Sequence, residues 1–185
     1  MKRGGGEAPN SKLPMWYILR TFNCQELQVS NHLKRNGLPH FIPMTYKERF
    51  IDENTKPKRV LVPLIHNYIF IEKGESEQEL KDALHECPFP NYVYQKQDSH
   101  HFYEVSDEEM TEFRLLCDPS FNKALVADQS ELQARVGKDV VVVHGPFTGI
   151  HGKLLRIKGK HFLIKTIGDL SIKMHISRWY CKVEP

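Results

Sequence analysis

The sequence has no apolar run long enough to cross a bilayer. Its longest such stretches, Val60 to Ile65 and Val140 to Val143, fall far short of the roughly 20 residues needed. It also lacks the apolar core of a secretory leader: Met1 to Asn10 carries Gly-Gly-Gly-Glu-Ala-Pro-Asn instead, which reads as a disordered arm, and a cytoplasmic location is expected. Cysteine is sparse. The four, at 24, 87, 117 and 181, leave no pair closer than 30 positions, which excludes CxxC redox and zinc-ribbon spacing. In a cytoplasmic chain they are expected to be reduced and to serve as small core hydrophobes. The ten histidines form no HxxxH or HExxH pattern. Without a metal spacing, a phosphate loop or a nucleophile–base pair, no metal, no cofactor and no catalytic residue is expected.

What is present is ordinary for a folded chain of one domain or two small ones: 185 residues, 40% hydrophobic, 26% charged, mean hydropathy −0.49. The net charge of +3 hides an uneven distribution. Residues 12–74 hold ten basic and five acidic side chains, residues 75–135 five and fourteen, and residues 136–185 nine and three. Two basic segments flanking an acidic one suggest two surfaces that meet an anionic partner while the middle turns away. Solvated helix faces would give the same blocks.

The pattern implies an α+β organisation. After a disordered arm at 1–14, Met15 to Thr21 is a strand of aromatic and β-branched residues. A helix capped by Asn23 should run from Cys24 to Asn36 and stop at Gly37. Phe41 to Met44, Tyr46 to Ile51, Arg59 to Ile65 and Tyr68 to Glu72 read as strands of a hairpin-rich antiparallel sheet, with a polar loop Asp52 to Lys58. Ser76-x-x-Glu79 and Ser106-x-x-Glu109 both fit the capping box and open two short helices, with the strand Asn91 to Tyr94 between them. Together these make a domain over 15–118. Residues 119–135 read as a linker. In 136–185, Val140 to Val143, Lys153 to Ile157, His161 to Thr166 and Ser171 to Ile176 recur at roughly ten-residue spacing with glycine turns, the signature of a small β-barrel.

Two motifs point further. His144-Gly145-Pro146-Phe147-Thr148-Gly149-Ile150-His151-Gly152 combines glycines at 145, 149 and 152, suited to tight turns and positive φ, with Phe147 and Ile150 as plugs; it resembles the KOW motif. Trp16-Tyr17-Ile18-Leu19 followed by a helix, then Pro63-Leu64-Ile65-His66-Asn67-Tyr68-Ile69-Phe70-Ile71, resembles the N-terminal (NGN) domain of the NusG family. Ile65 and His66 stand where that family has Phe and Pro, and Asn67 matches its specialised, RfaH-like branch.

The resemblance implies a transcription elongation or antitermination factor, a monomer without catalytic chemistry, serving particular operons such as surface-polysaccharide loci. It implies that Tyr68, Phe70, Tyr92 and Tyr103 meet the clamp helices of the largest RNA polymerase subunit. Read from the residues alone, Tyr68 and Phe70 share one strand face and could equally be core. It also implies a contact with the non-template DNA strand through His32 and Arg35, which lie with Gln28 on one helix face; a solvated polar face is the other reading. Phe22 replaces a basic residue of the specialised branch. Lys56, Lys58 and Arg59, with Lys47 and Arg49, would add a phosphate-contacting rim. The barrel would recruit a small-subunit ribosomal protein or Rho, and Lys153, Arg156, Lys158, Lys160 and Lys165 would permit RNA contact. A general NusG factor and a KOW-type RNA- or ribosome-binding protein stay open as alternatives.

Overall fold

In the computed structural model, residues 14–50, 56–96, 100–121, 124–133 and 137–185 are described. In chain order the N-terminal half runs β1 (Met15–Thr21), α1 (Glu26–Arg35), β2 (His40–Phe41), β3 (Met44–Arg49), β4 (Lys58–Pro63), β5 (Tyr68–Glu72), α2 (Glu77–His85), β6 (Asn91–Val93), β7 (Glu104–Ser106) and α3 (Asp107–Leu116). The C-terminal half adds β8 (Ala124–Val126), α4 (Gln129–Gln133), β9 (Lys138–Val142), β10 (His151–Ile157), β11 (Lys160–Ile167), β12 (Leu170–His175), a 3₁₀ turn at Arg178–Tyr180 and β13 (Cys181–Val183). Mixed helix and antiparallel sheet is thus the observed class.

The first sheet has the order β2-β5-β1-β6, with β7 also paired to β1. Because side chains alternate across a strand, β1 offers two apolar stripes. Tyr17 and Leu19 pack with Ile69 and Ile71 of β5 beneath α1 and α2, through Val29, Leu33 and Leu80. Trp16 and Ile18 pack with Phe70 beneath α3, through Met110, Phe113 and Leu116. That second core continues into Val140, Phe147, Ile150, Leu163 and Ile167 of the C-terminal half. Polar tips on buried rings are satisfied, Trp16 Nε1 donating to Asp107 at 3.1 Å and Tyr17 OH to Glu77 at 3.1 Å.

Several expectations are corrected. α1 starts two residues late, because Asn23 and Cys24 both take left-handed backbone (φ 54° and 56°) and Gln25, not Asn23, is the N-cap, without a side-chain bond. Glu26, buried in the first turn, instead ties this loop to the β4–β5 turn: it accepts from the Asn67 amide at 3.2 Å and lies 2.8 Å from His66 Nδ1. Asn67 itself sits at φ 67° and its side chain accepts from Cys24 N at 2.9 Å, so Asn is one of the few residues that suit the position. Cys24 is exposed rather than core, whereas Cys117 is buried; all four cysteines are free. Ser106 forms the capping box with Glu109, but Ser76 accepts from Gln78 and forms none. Among the described residues β3 and β4 pair only with each other. The polar loop expected at 52–58 lies partly outside the described residues, as does the arm.

The second sheet, β13-β9-β10-β11-β12-β8, begins inside the stretch expected as linker, since β8 pairs with β12 through Ile172 and Val126. Gly145 and Gly149 take positive φ (86° and 93°) as expected. Gly152 does not; its role is close approach, because a Cβ there would lie 2.6 Å from the Ile164 carbonyl oxygen. Gly152→Ala is therefore expected to lower stability by about 1–3 kcal/mol in urea denaturation, through overpacking of β10 on β11.

Candidate functional site

Strand register sets the face. Ile18 pairs with Phe70, and Arg20 with Tyr68 on one side and Tyr92 on the other, so all five side chains project to the α3 side of the sheet. Phe70 lies in the core between Phe113 (ring centroids 5.0 Å) and Phe41 (6.4 Å), with no exposed surface. Tyr68 is 7% exposed and Tyr92 47%. Tyr92 stacks on Tyr94 at 5.9 Å and meets the exposed Phe22 at 6.0 Å, forming an aromatic row along the open rim.

What buries Tyr68 is the C-terminal half. The β11–β12 hairpin turns through Gly168 and Asp169, with glycine at the first central position and φ 60°, the arrangement of a type II′ turn. Its tip presses on β1: a Cβ on Gly168 would sit 2.8 Å from Ile18 Cδ1 and 3.9 Å from Tyr103. Asp169 then accepts a hydrogen bond from Tyr68 OH at 2.9 Å and lies 4.0 Å from the Arg20 guanidinium, which is itself stacked 4.1 Å over the Tyr68 ring. Burial, reinforced by the Asp169 carboxylate, pushes the Tyr68 phenol well above its ordinary value and the Tyr94 phenol up to about 12.

A second anchor joins α3 to the C-terminal sheet. Glu112 pairs with Lys165 and accepts from the His151 amide at 3.2 Å, while Phe121 meets Phe147 edge-on at 4.9 Å. The acidic helix expected to turn away from partners thus faces the chain's own basic half. Lys165, held by Glu112, is not presented to RNA as expected.

The other predicted residues lie apart from this face. α1 covers the opposite side of the sheet. Gln28 and Arg35 are exposed there, but His32 is only half exposed, its Nε2 lying 2.7 Å from the Ala83 carbonyl oxygen of α2. Lys56, Lys58 and Arg59 are exposed at the β3–β4 hairpin, with Arg59 stacked 4.7 Å over Tyr46. Lys47 and Arg49 share that hairpin and are exposed as well. Arg20, Tyr94 and Asp169 were not singled out from sequence; for Asp169 the only local signal is the Gly-Asp turn. Among the described residues no group of three His, Cys, Asp or Glu could hold a metal ion, and no helix is long and apolar enough to cross a membrane.

Comparison with known families decides the class. Residues 14–114 match the family model described as transcription termination factor NusG. The chain belongs to the NusG family. As a NusG-family transcription factor it shares its fold with a solved structure of Thermotoga maritima NusG, described as showing a domain interaction (TM-score 0.51, 16% identity, 92% of this chain and 97% of that one). The MjSpt4:Spt5 complex, conformation A, aligns more distantly over 91% of this chain and 97% of that one (TM-score 0.30, 12% identity). No curated protein matches the chain.

The raised Tyr94 phenol gives a titration test for this NusG-family face. Its proton is held more tightly in the folded than in the unfolded chain, so the stability it contributes is present below about pH 10 and lost as the pH climbs towards 12. Ultraviolet titration of tyrosinate should lose a transition near pH 12 in Tyr94→Phe, and Asp169→Ala should move that transition towards 10.

Proposed function

We propose that this NusG-family chain is a bacterial transcription elongation and antitermination factor. It docks the clamp helices of the largest RNA polymerase subunit with the face built from Tyr68, Phe70, Tyr92 and Tyr103, suppresses pausing or termination, and serves specific operons such as surface-polysaccharide loci. The observation that carries the reading is the face itself: a row of aromatic side chains continuous from a buried core to an exposed rim, covered over Tyr68 by a separate unit of the same chain. Aromatic anchors in a desolvated pocket are the usual source of binding energy at such interfaces. Phe70 supports the pocket from within.

The opposite side of the sheet, together with the β3–β4 hairpin, meets the non-template DNA strand. Arg35 and Gln28 on α1, with Lys56, Lys58 and Arg59 on the hairpin, supply charge and hydrogen bonds, and His32 contributes from its seat against α2. The C-terminal sheet acts as a KOW barrel, with Gly145, Phe147, Gly149 and Gly152 shaping it. It recruits a small-subunit ribosomal protein or Rho; its 85% exposed Trp179, next to Arg178 and Tyr180, fits such a recruiting surface.

The decisive experiment is in vitro transcription through a pause and a terminator with and without the protein; unchanged readthrough at both rejects the reading. Tyr92→Ala, at the exposed rim, should weaken polymerase binding by about tenfold, equivalent to about 1.4 kcal/mol, with unchanged circular dichroism. Phe70→Ala is a poor probe, because opening that core costs about 3–5 kcal/mol. The triple change Arg35→Ala, Lys58→Ala, Arg59→Ala should spare polymerase binding and flatten the salt dependence of DNA binding, by about one unit of slope for each phosphate that the variant no longer neutralises.

A further inference from the structure

The Asp169 carboxylate shows what chemistry the docking face accepts. Three groups of the N-terminal half converge on it: the Tyr68 hydroxyl at 2.9 Å, the Tyr94 hydroxyl, and the Arg20 guanidinium at 4.0 Å. Contacts within the N-terminal half also position these groups. Arg20 is held over the Tyr68 ring at 4.1 Å, and Tyr94 is stacked on Tyr92 at 5.9 Å. Ile18 and Tyr103 form the apolar wall against which the turn rests. A guanidinium and two phenol donors set in an aromatic wall complement a carboxylate; an ammonium would be repelled and an amide would lose the charge assistance.

We propose that the Arg20–Tyr68–Tyr94 cradle is a receptor for one acidic side chain, that Asp169 occupies it within the chain, and that the polymerase helix displacing the C-terminal half seats a Glu or Asp in the same place. This rests on the reading that the face docks polymerase. It adds the polar feature that sets the register of docking, as charged pairs at interface rims do. The occupied seat is open to water, with side-chain exposure of 29% for Arg20 and 41% for Asp169, so the internal ion pair is screened and exchangeable. The occupant is delivered by a two-residue turn, so the cradle recognises a carboxylate with little else on its own strand around it.

The test uses the full chain and core RNA polymerase from the same source, with affinity read by biolayer interferometry and domain opening by small-angle scattering. Asp169→Asn should enlarge the radius of gyration and tighten polymerase binding severalfold. In that opened background only the receptor role remains, so adding Arg20→Gln and Tyr68→Phe should weaken polymerase binding at least tenfold, with unchanged circular dichroism, and Arg20→Lys alone should weaken it less than Arg20→Gln alone. If the cradle serves only as an internal latch, the added substitutions leave affinity within about twofold, and the proposal is overturned. Unchanged dimensions and affinity in Asp169→Asn would overturn the claim that Asp169 holds the seat. Failure of every variant, opened ones included, to bind polymerase would instead reject the underlying reading of the face.

Discussion

Burial of β1 on both faces is the constraint on which the rest of the structure depends. A strand with water on one side needs apolar residues only at alternate positions, whereas Trp16, Tyr17, Ile18 and Leu19 are all buried. One stripe is covered by α1 and α2, which the N-terminal half supplies in full. The other is only partly covered by α3, and the remainder is completed by the C-terminal half through one continuous core. The proposed docking face is therefore the part of β1 and β5 that the N-terminal half does not cover with its own helices. A second body must supply that cover, and here it is the chain's own β11–β12 turn.

The charge distribution takes its meaning from the same geometry. The acidic middle segment and the basic C-terminal segment face each other across this junction, where Glu112 grips Lys165 and receives the His151 amide. Exposed basic groups lie on α1 and on the β3–β4 hairpin, and also on the C-terminal half at Lys138, Lys153, Arg156, Lys158 and Lys160. The α3 side of the first sheet is thus engaged with the chain itself, while α1 presents Lys34 and Arg35 on the opposite side, a distribution that the net charge of +3 conceals.

Much of the fold was legible because it is written in local chemistry. The aromatic and β-branched runs of β1 and β5, the Ser106 capping box and the glycine-separated strands of the C-terminal sheet each follow from residues within a few positions of one another. The misses share a cause. Asn23 reads as a cap, but the real start of α1 is organised by Glu26 reaching the backbone of Asn67, 41 residues away. His66, which departs from the family's Pro, makes sense only beside that same carboxylate. β8 lies inside the stretch read as a linker, and its short segment looks unstructured until β12 offers it an edge.

By itself the sequence determined most of the N-terminal elements, the recurring strands of the C-terminal half and the membership in a family, since these depend on periodicity, turn residues and motif spacing. Only the tertiary structure decided that Tyr68 is covered, that His32 is tied to α2, and that Asp169 sits against Arg20, Tyr68 and Tyr94. Those facts depend on contacts between elements far apart in the sequence. Tyr68 and Asp169 are 101 residues apart, and no local rule of spacing or propensity relates them. Their meeting is set by the shape of a glycine turn against Ile18, a property that exists only once both surfaces have formed.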